Sequence, residues 1–201
     1  SELIIKLGQG LGAISVDLQG SCTYTNSYYD GTENLLDTDL KEVLQEITGE
    51  GYITHAYDVA RDEMYMVIDN QSVNGQGSPQ NRLTRAYLGT DAVGYTGRSD
   101  LFNNYDVNCE NTFPQGFFNQ NLPMRTDVHH LVPTYISANS TRGNLRFGEV
   151  VSGIDWSEGG SARGFDANGN QVFEPRDDQK GHSSRAVLYF VIRYQNYGGF
   201  L

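Results

Sequence analysis

Apolar residues at helical spacing mark the clearest element that the sequence predicts. They occupy positions i, i+3, i+4 and i+7 of one segment: Leu40, Val43, Leu44 and Ile47. Such spacing places four apolar side chains on one face of a helix. Asp37 or Thr38 can cap the first turn, and Gly49 and Gly51 can end the last. The pattern predicts a helix over residues 37–48.

Shorter apolar runs predict further elements. Residues 3–5 and 13–16 form either short strands or a loosely packed arm. Residues 64–69 have the composition of a strand, and residues 165–173 carry an Asn-Gly turn between apolar flanks, which is a hairpin signal. The last run, residues 186–194, fits a buried strand and a buried helix equally well by its periodicity.

The length of the chain and its lack of internal repeats predict a single globular domain. Its 201 residues suit one hydrophobic core. We divide it into an N-terminal arm or group of strands, residues 1–27, and a main domain, residues 28–201. No apolar run reaches the roughly 20 residues of a membrane helix, so we expect a soluble protein. We also expect it to be a monomer. The first residues do not resemble a secretion signal, so we expect that any such signal has been removed.

Acidic residues are unevenly distributed, and this changes what the net charge implies. The formal charge of −11 argues at first sight against a polyanionic partner, because phosphate binding depends on Lys and Arg. Residues 1–60 hold ten acidic and two basic side chains, whereas residues 142–201 hold seven of each sign. The neutral C-terminal part can therefore still present a local basic surface.

The densest group of potentially reactive side chains spans residues 108–149. It contains oxygen ligands, imidazoles and guanidiniums, which are in chain order Glu110, His129, His130, Arg142, Asn144, Arg146 and Glu149. Such a set suits a Mg²⁺ or Ca²⁺ ion that keeps waters and meets a phosphate. Zinc is a poor match, because the segment has no cysteine pair and no His-x-x-x-His spacing. Composition alone leaves a polar surface loop as the alternative.

Four ordered motifs resemble those of the endonuclease I family. That family carries Glu-His-(Thr/Val/Met)-x-Pro-(Gln/Lys), then Met-x-x-Asp-Leu-His-(His/Asn)-x-x-Pro, then Asn-x-x-Arg-(Ser/Gly)-Asn-x-x-Phe-Gly, and then a Lys-Gly-x-x-Ala-Arg-Ala helix. The corresponding segments here are residues 110–115, 124–133, 139–148 and 180–186. The resemblance spans roughly residues 28–197, and four motifs in order are far more specific than any one of them.

The resemblance implies a fold, an activity and a cofactor. The fold would be mixed α+β with a ββα-metal core, also called a His-Me finger. The activity would be that of a periplasmic or secreted endonuclease, a hydrolase that cleaves DNA, and RNA as a second substrate, without sequence specificity and to 5′-phosphate ends. One divalent metal ion would be required, Mg²⁺ first, with Ca²⁺ or Mn²⁺ as alternatives. Glu110 would bind this metal directly, and the residue after it would be a histidine that deprotonates the attacking water.

Asn111 occupies the position of that histidine. An amide has no usable basicity, and losing a general base costs about 10²–10⁴ in rate, so we expect the chain to be catalytically impaired. His129 and His130 are expected to pack and orient the site rather than to replace the base. Either an active enzyme has been deliberately inactivated, or a natural variant has kept nucleic-acid or metal binding without cleavage; the intact neighbouring motifs favour the first.

The resemblance also implies roles for the remaining site residues. A second metal ligand is expected from a helix after the Arg-Gly-Asn motif, where Asn144 and Glu149 are the nearest oxygen donors. Arg142 would bind the scissile or an adjacent phosphate, with a structural salt bridge as the alternative. Three further cations would contact backbone phosphates: Arg146, Lys180 and Arg185. For the last two, flanking a helix is the alternative.

The two cysteines, Cys22 and Cys109, can form one internal bridge. Closing so long a loop would stabilise the fold by about 3–5 kcal/mol in the chain-entropy model. We expect the bridge to form, and two buried free thiols are the alternative.

Overall fold

The computed structural model describes residues 2–6, 13–17, 22–24 and 27–197, with side chains from residue 28 onward. The chain divides into two compact units, Ser1–Tyr52 and Ile53–Leu201. The division of the sequence after residue 27 stays a prediction. Among the described residues, no helix combines the length and the apolar character that crossing a membrane requires.

Among its described residues, the first unit pairs three strands and adds one α-helix. Its elements are β1 (Glu2–Lys6), β2 (Ala13–Asp17), β3 (Cys22–Tyr24) and α1 (Asp37–Gly49). The strands form an antiparallel sheet in the order β1-β2-β3, so the short apolar runs are strands. The helix predicted over residues 37–48 is confirmed. Its predicted cap is wrong, because the residue before the first turn is the apolar Leu36, which offers no capping oxygen.

The second unit contains four helices and eight strands among the described residues. The helices are α2 (Tyr57–Glu63), α3 (Arg98–Tyr105), α4 (Ile136–Arg142) and α5 (Asp177–Arg193). The strands are β4 (Arg82–Thr84), β5 (Asp91–Val93), β6 (Val107–Asn111), β7 (Leu131–Tyr135), β8 (Arg146–Phe147), β9 (Ser152–Glu158), β10 (Ser161–Phe165) and β11 (Gln171–Glu174). Helices and small sheets are mixed, so the fold class is α+β, as predicted.

The segment predicted as a strand at residues 64–69 is helical. It continues α2 without a break as a π-helical turn, Met64–Ile68, which the N–H of Asp69 closes on the carbonyl of Met64 at 2.9 Å. Met64 and Tyr65 are buried in a core cluster with residues of β4, α3 and β6. The strand prediction was wrong because packing of this apolar run against the core overrides the strand preference of its residues.

Strands β6 and β7 and helix α4 build the part of the fold that carries the candidate site. The two strands are antiparallel, and Asn111 lies opposite Leu131 at the end of the ladder. Helix α4 follows β7 directly. Its residue Asn139 donates from Nδ2 to Asn108 Oδ1 at 3.0 Å and to the Cys109 carbonyl at 3.2 Å. These bonds fix the helix against β6, and the order strand, strand, helix matches the predicted ββα core.

A four-stranded sheet follows in the order β8-β11-β10-β9. The predicted hairpin is confirmed, because β10 and β11 are antiparallel and pair Phe165 with Gln171 across the turn. Gly169 in that turn has φ +79°, a conformation that favours glycine. The residues after Asn144 enter strand β8, and β8 pairs in parallel with β11. The helix expected after the Arg-Gly-Asn motif was therefore wrong.

Helix α5 resolves the ambiguous run at residues 186–194. The helix extends over 17 residues and buries Ala186 and Phe190 on one face. Phe190 stacks on Phe113 with ring centroids 4.2 Å apart and also packs against Phe118. The helix therefore covers the segment that leaves β6.

Candidate active site

Glu110 is a buried carboxylate near the end of β6. The residue is only 4% exposed. Its Oε1 accepts a hydrogen bond from the Tyr87 hydroxyl at 2.7 Å and lies 3.0 Å from Nη1 of Arg142. Burial raises the pKa of Glu110, and the guanidinium and the hydroxyl oppose that shift. No donor from the described part of the chain reaches the second oxygen, Oε2.

Arg142, at the end of α4, is committed to this carboxylate and to the backbone. It is 1% exposed. Nη2 donates to the carbonyl of Thr112 at 2.7 Å, Nη1 donates to the carbonyl of Asn111 at 3.4 Å, and the guanidinium stands over the ring of Phe147 at 4.7 Å. These contacts favour the structural salt bridge over the phosphate-binding role that the motif suggested.

Asn111 is 3% exposed and both ends of its amide have partners. Nδ2 donates to the carbonyl of Arg125 at 3.2 Å, and Oδ1 accepts from Nε2 of Gln115 at 2.6 Å. The amide is therefore held firmly at the expected position of the base. An amide so placed fixes geometry and accepts no proton at neutral pH.

The Asn144 side chain lies next to Gly116, in the segment that follows Asn111. A Cβ built on Gly116 would stand 2.8 Å from Nδ2 and 3.1 Å from Oδ1 of Asn144, so that side chain lies close against the backbone of Gly116. Gly116 follows Gln115, which holds Asn111. The segment 115–116 therefore links Asn144 to Asn111, the neighbour of Glu110 in the chain.

The other predicted site residues lie around a neighbouring cavity or are already paired. Glu149 and Lys180 line a cavity that shares the Phe147 ring with the one next to Arg142. Lys180 Nζ lies 2.7 Å from both Glu174 Oε1 and Asp177 Oδ1. Glu149 is exposed, and nothing in the described contacts joins it to Glu110.

Arg146 and Arg185 are cations on the surface. Arg146 lines the cavity next to Arg142 and forms no ion pair with any side chain that the structure describes. Arg185 Nη2 lies 3.1 Å from Nδ1 of His182, one turn earlier on α5. Both therefore keep charges that a phosphate can use.

A histidine–aspartate pair lies in the second motif and was not predicted. His129 Nδ1 lies 2.8 Å from Asp127 Oδ1, and the imidazole is 58% exposed. The Asp127 side chain is fully buried and also accepts bonds from the hydroxyls of Tyr189 and Tyr194, at 2.8 and 2.6 Å. The spacing Asp127-x-His129 in the sequence could have suggested the pair, but its two tyrosine partners are more than 60 residues away.

His130 is buried and structural. Its Nε2 lies 2.7 Å from the carbonyl of Met124, and burial lowers its pKa to about 4. The imidazole is thus neutral and held by the backbone of Met124, a position that suits the expected packing role. Cys109 is a buried thiol without a disulfide to any described side chain. The side chain of Cys22 lies outside the described residues, so the bridge stays a prediction.

The donors around Glu110 fit a hard divalent cation. Within residues 28–197, no three His, Cys, Asp or Glu side chains lie close enough together to hold a metal. Oε2 of the buried Glu110 has no donor among the described residues, and such an oxygen suits an ion that keeps most of its waters.

The antiparallel pair β6–β7, the helix α4 and the Glu110–Asn111 corner define a protein with a ββα site in an α+β fold. The sequence profile of the Endonuclease I family matches residues 32–197, and the chain belongs to that family. It is 29% identical over 182 residues to an extracellular ribonuclease of Bacillus subtilis (strain 168), covering 88% of this chain and 56% of that protein. It is 37% identical over 79 residues to an extracellular ribonuclease of Bacillus amyloliquefaciens, covering 37% of this chain and 24% of that protein. The chain thus spans about half the length, or less, of these relatives.

Proposed function

We propose that the chain carries the catalytic fold of a secreted, metal-dependent endonuclease that hydrolyses phosphodiester bonds without sequence specificity. The observation that supports this most strongly is the buried Glu110 carboxylate, oriented by two donors through one oxygen and left open at the other. The names of the two relatives favour an extracellular location and add RNA to DNA as a substrate.

Glu110 and Asn144 would hold the metal ion. Such an ion supplies Lewis-acid stabilisation of the charge that develops on the phosphate oxygens. Tyr87 and Arg142 keep the carboxylate of Glu110 in one orientation through Oε1. Arg142 also offsets the negative charge of Glu110, which lowers the cost of burying it.

Asn111 limits what this site can do. In the active form of the site, a neutral imidazole at this position takes the proton of the attacking water, and the products carry 5′-phosphates. The Asn111 amide has the hydrogen-bonding reach of an imidazole but not its basicity. We expect the chain with Asn111 to bind nucleic acid and to cleave it very slowly or not at all.

The decisive experiment introduces the imidazole. Asn111→His should raise the rate of Mg²⁺-dependent plasmid nicking and of RNA degradation by about 10²–10⁴ over the chain with Asn111. Asn111→Gln is the matched control, because it keeps an amide and should gain nothing. A chelator should abolish the activity of the histidine variant. If Asn111→His stays inactive with Mg²⁺, Mn²⁺ and Ca²⁺, the proposed nuclease activity is refuted.

The second candidate function is nucleic-acid binding without cleavage on the same scaffold. The full pairing of the Asn111 amide with Gln115 and with the Arg125 carbonyl favours it, because the site is complete without a base. Retained nucleic-acid binding, measured by fluorescence anisotropy, together with an inactive Asn111→His variant would select this function.

A further inference from the structure

A second cavity adjoins the Glu110–Arg142 pair. It has a volume of about 420 Å³, within the range of about 300–1,000 Å³ that is typical of small-molecule sites. Its walls are mostly apolar and are formed by Phe113, Phe117, Phe147, Val187 and Val191, with Pro114 beside the first of these. Arg142 and Arg146 are the charged residues that line it.

The two guanidiniums in this cavity are not equivalent. Arg142 is buried and its charge is balanced by Glu110 at 3.0 Å. Arg146 is exposed and has no ion-pair partner among residues 28–197. A molecule bound in this cavity would therefore contact aromatic and aliphatic side chains and the unpaired positive charge of Arg146. That combination is complementary to an aromatic ring that carries an anionic group.

The cavity borders the candidate active site at Arg142. Phe113 and Pro114 follow Asn111 in the same motif, and Arg142 joins the cavity to Glu110. The segment from Arg142 to Arg146 contains Asn144, whose side chain rests on Gly116. Because Arg142 contacts Glu110 and also lines the cavity, a base seated in the cavity would belong to a nucleotide near a phosphate at Glu110.

We infer that this cavity binds one nucleobase of the substrate, beside the phosphate that is cleaved, with Arg146 holding a backbone phosphate of that nucleotide. The inference rests on the proposed function and deepens it. Phe117 is 39% exposed at the entrance, with its ring 5.8 Å from that of Phe113. Stacking on such rings accepts every base, because each has a π-face. A base-binding cavity is therefore compatible with cleavage that is not sequence-specific.

The test compares ligands that differ only in the base. Adenosine 5′-monophosphate and uridine 5′-monophosphate should bind the chain with Asn111 more tightly than ribose 5-phosphate, as measured by titration of NMR chemical shifts. Phe117→Ala should weaken nucleotide binding about fivefold to hundredfold, the range that loss of one stacked base gives. Phe117→Trp should keep it, and neither change should affect ribose 5-phosphate. Arg146→Ala should weaken all three ligands.

Phe165→Ala is the control for removal of a ring. Phe165 is 40% exposed on β10, so its exposure matches that of Phe117 although it does not line the cavity. Equal affinity for nucleotides and ribose 5-phosphate, no binding of either, or an unchanged affinity in Phe117→Ala would overturn the inference. These measurements need no catalysis, so failure of Asn111→His to cleave would refute the nuclease while leaving the base site testable.

Discussion

At the scale of single residues, the pairing of Glu110 with Arg142 decides how the site is built. Both side chains are at most 5% exposed, so each charge has lost most of its hydration. Neither is tolerable alone, since an uncompensated buried charge costs several kcal/mol. The guanidinium also donates to three backbone carbonyls, at residues 111, 112 and 143, while its Nε is buried without a partner among the described groups. Arg142 is therefore needed first for the position and the ionisation of Glu110.

Removing the guanidinium should destabilise the whole domain. Arg142→Met keeps much of the side-chain volume but leaves Glu110 buried without its cation. We expect the free energy of unfolding in urea to fall by about 3–5 kcal/mol. Adding Glu110→Gln to that variant should recover part of the loss, because the amide carries no charge.

Arg146→Met is the control for this prediction. Arg146 is exposed, so its replacement should change the free energy of unfolding by no more than about 0.5 kcal/mol. An equally small effect of Arg142→Met would contradict the structural role and would return Arg142 to the list of groups available to a phosphate.

At the scale of elements, local sequence patterns predicted the elements whose conformation depends on neighbouring residues. The spacing that predicted α1 and the Asn168-Gly169 turn that predicted the β10–β11 hairpin depend on neighbours in sequence, and both were confirmed. The run at residues 64–69 was misassigned because its conformation is set by packing against distant elements. The same limit applies to the site: motifs identified Glu110 and Asn111, but no local pattern brings Arg142 to Glu110 across 32 residues.

The contact between the Asp127 segment and α5 should contribute stability that acid removes. Burial alone would raise the pKa of Asp127, but bonds from His129 and Tyr194 outweigh it and lower the pKa to about 2. An unfolded Asp has a pKa of about 3.9. The folded state therefore gains stability above about pH 4, and loses it as the pH falls from about 4 to about 2. By linkage the gain is on the order of 2–3 kcal/mol.

Asp127→Asn tests this contact. The variant should unfold more easily at neutral pH and should show a flatter decline of stability between about pH 4 and pH 2, followed by urea unfolding at each pH. Asp178→Asn is the control, because that carboxylate is 80% exposed and should leave the acid limb unchanged. An acid limb of the same slope in Asp127→Asn and in the parent would show that other carboxylates cause it.

At the scale of the whole molecule, net charge conceals which cations are available. Residues 1–52 hold nine acidic and two basic side chains, and residues 53–201 hold 16 and 12. Within residues 28–197, at least seven of those 12 cations lie in salt bridges: Arg61, Arg82, Arg98, Arg142, Arg163, Arg176 and Lys180. The motifs predicted phosphate contacts for Arg142, Arg146, Lys180 and Arg185, with structural roles as alternatives for all but Arg146. The ion pairs in the structure distinguish the paired cations, Arg142 and Lys180, from Arg146 and Arg185. A count of charges in the sequence could not make this distinction.

Salt dependence of binding should distinguish paired from unpaired cations. Each phosphate that a side chain neutralises adds about −0.9 to the slope of log K against log salt on duplex DNA. Arg146→Ala should therefore weaken binding to two unrelated duplexes equally and should flatten the slope by about one unit. Lys180→Ala should leave the slope nearly unchanged, because Glu174 and Asp177 already neutralise that ammonium at 2.7 Å. Fluorescence anisotropy at several salt concentrations measures both slopes. An equal loss in the two variants would mean that the ion pairs of Lys180 open when nucleic acid binds, and an unchanged slope in both would place the phosphate path away from Arg146.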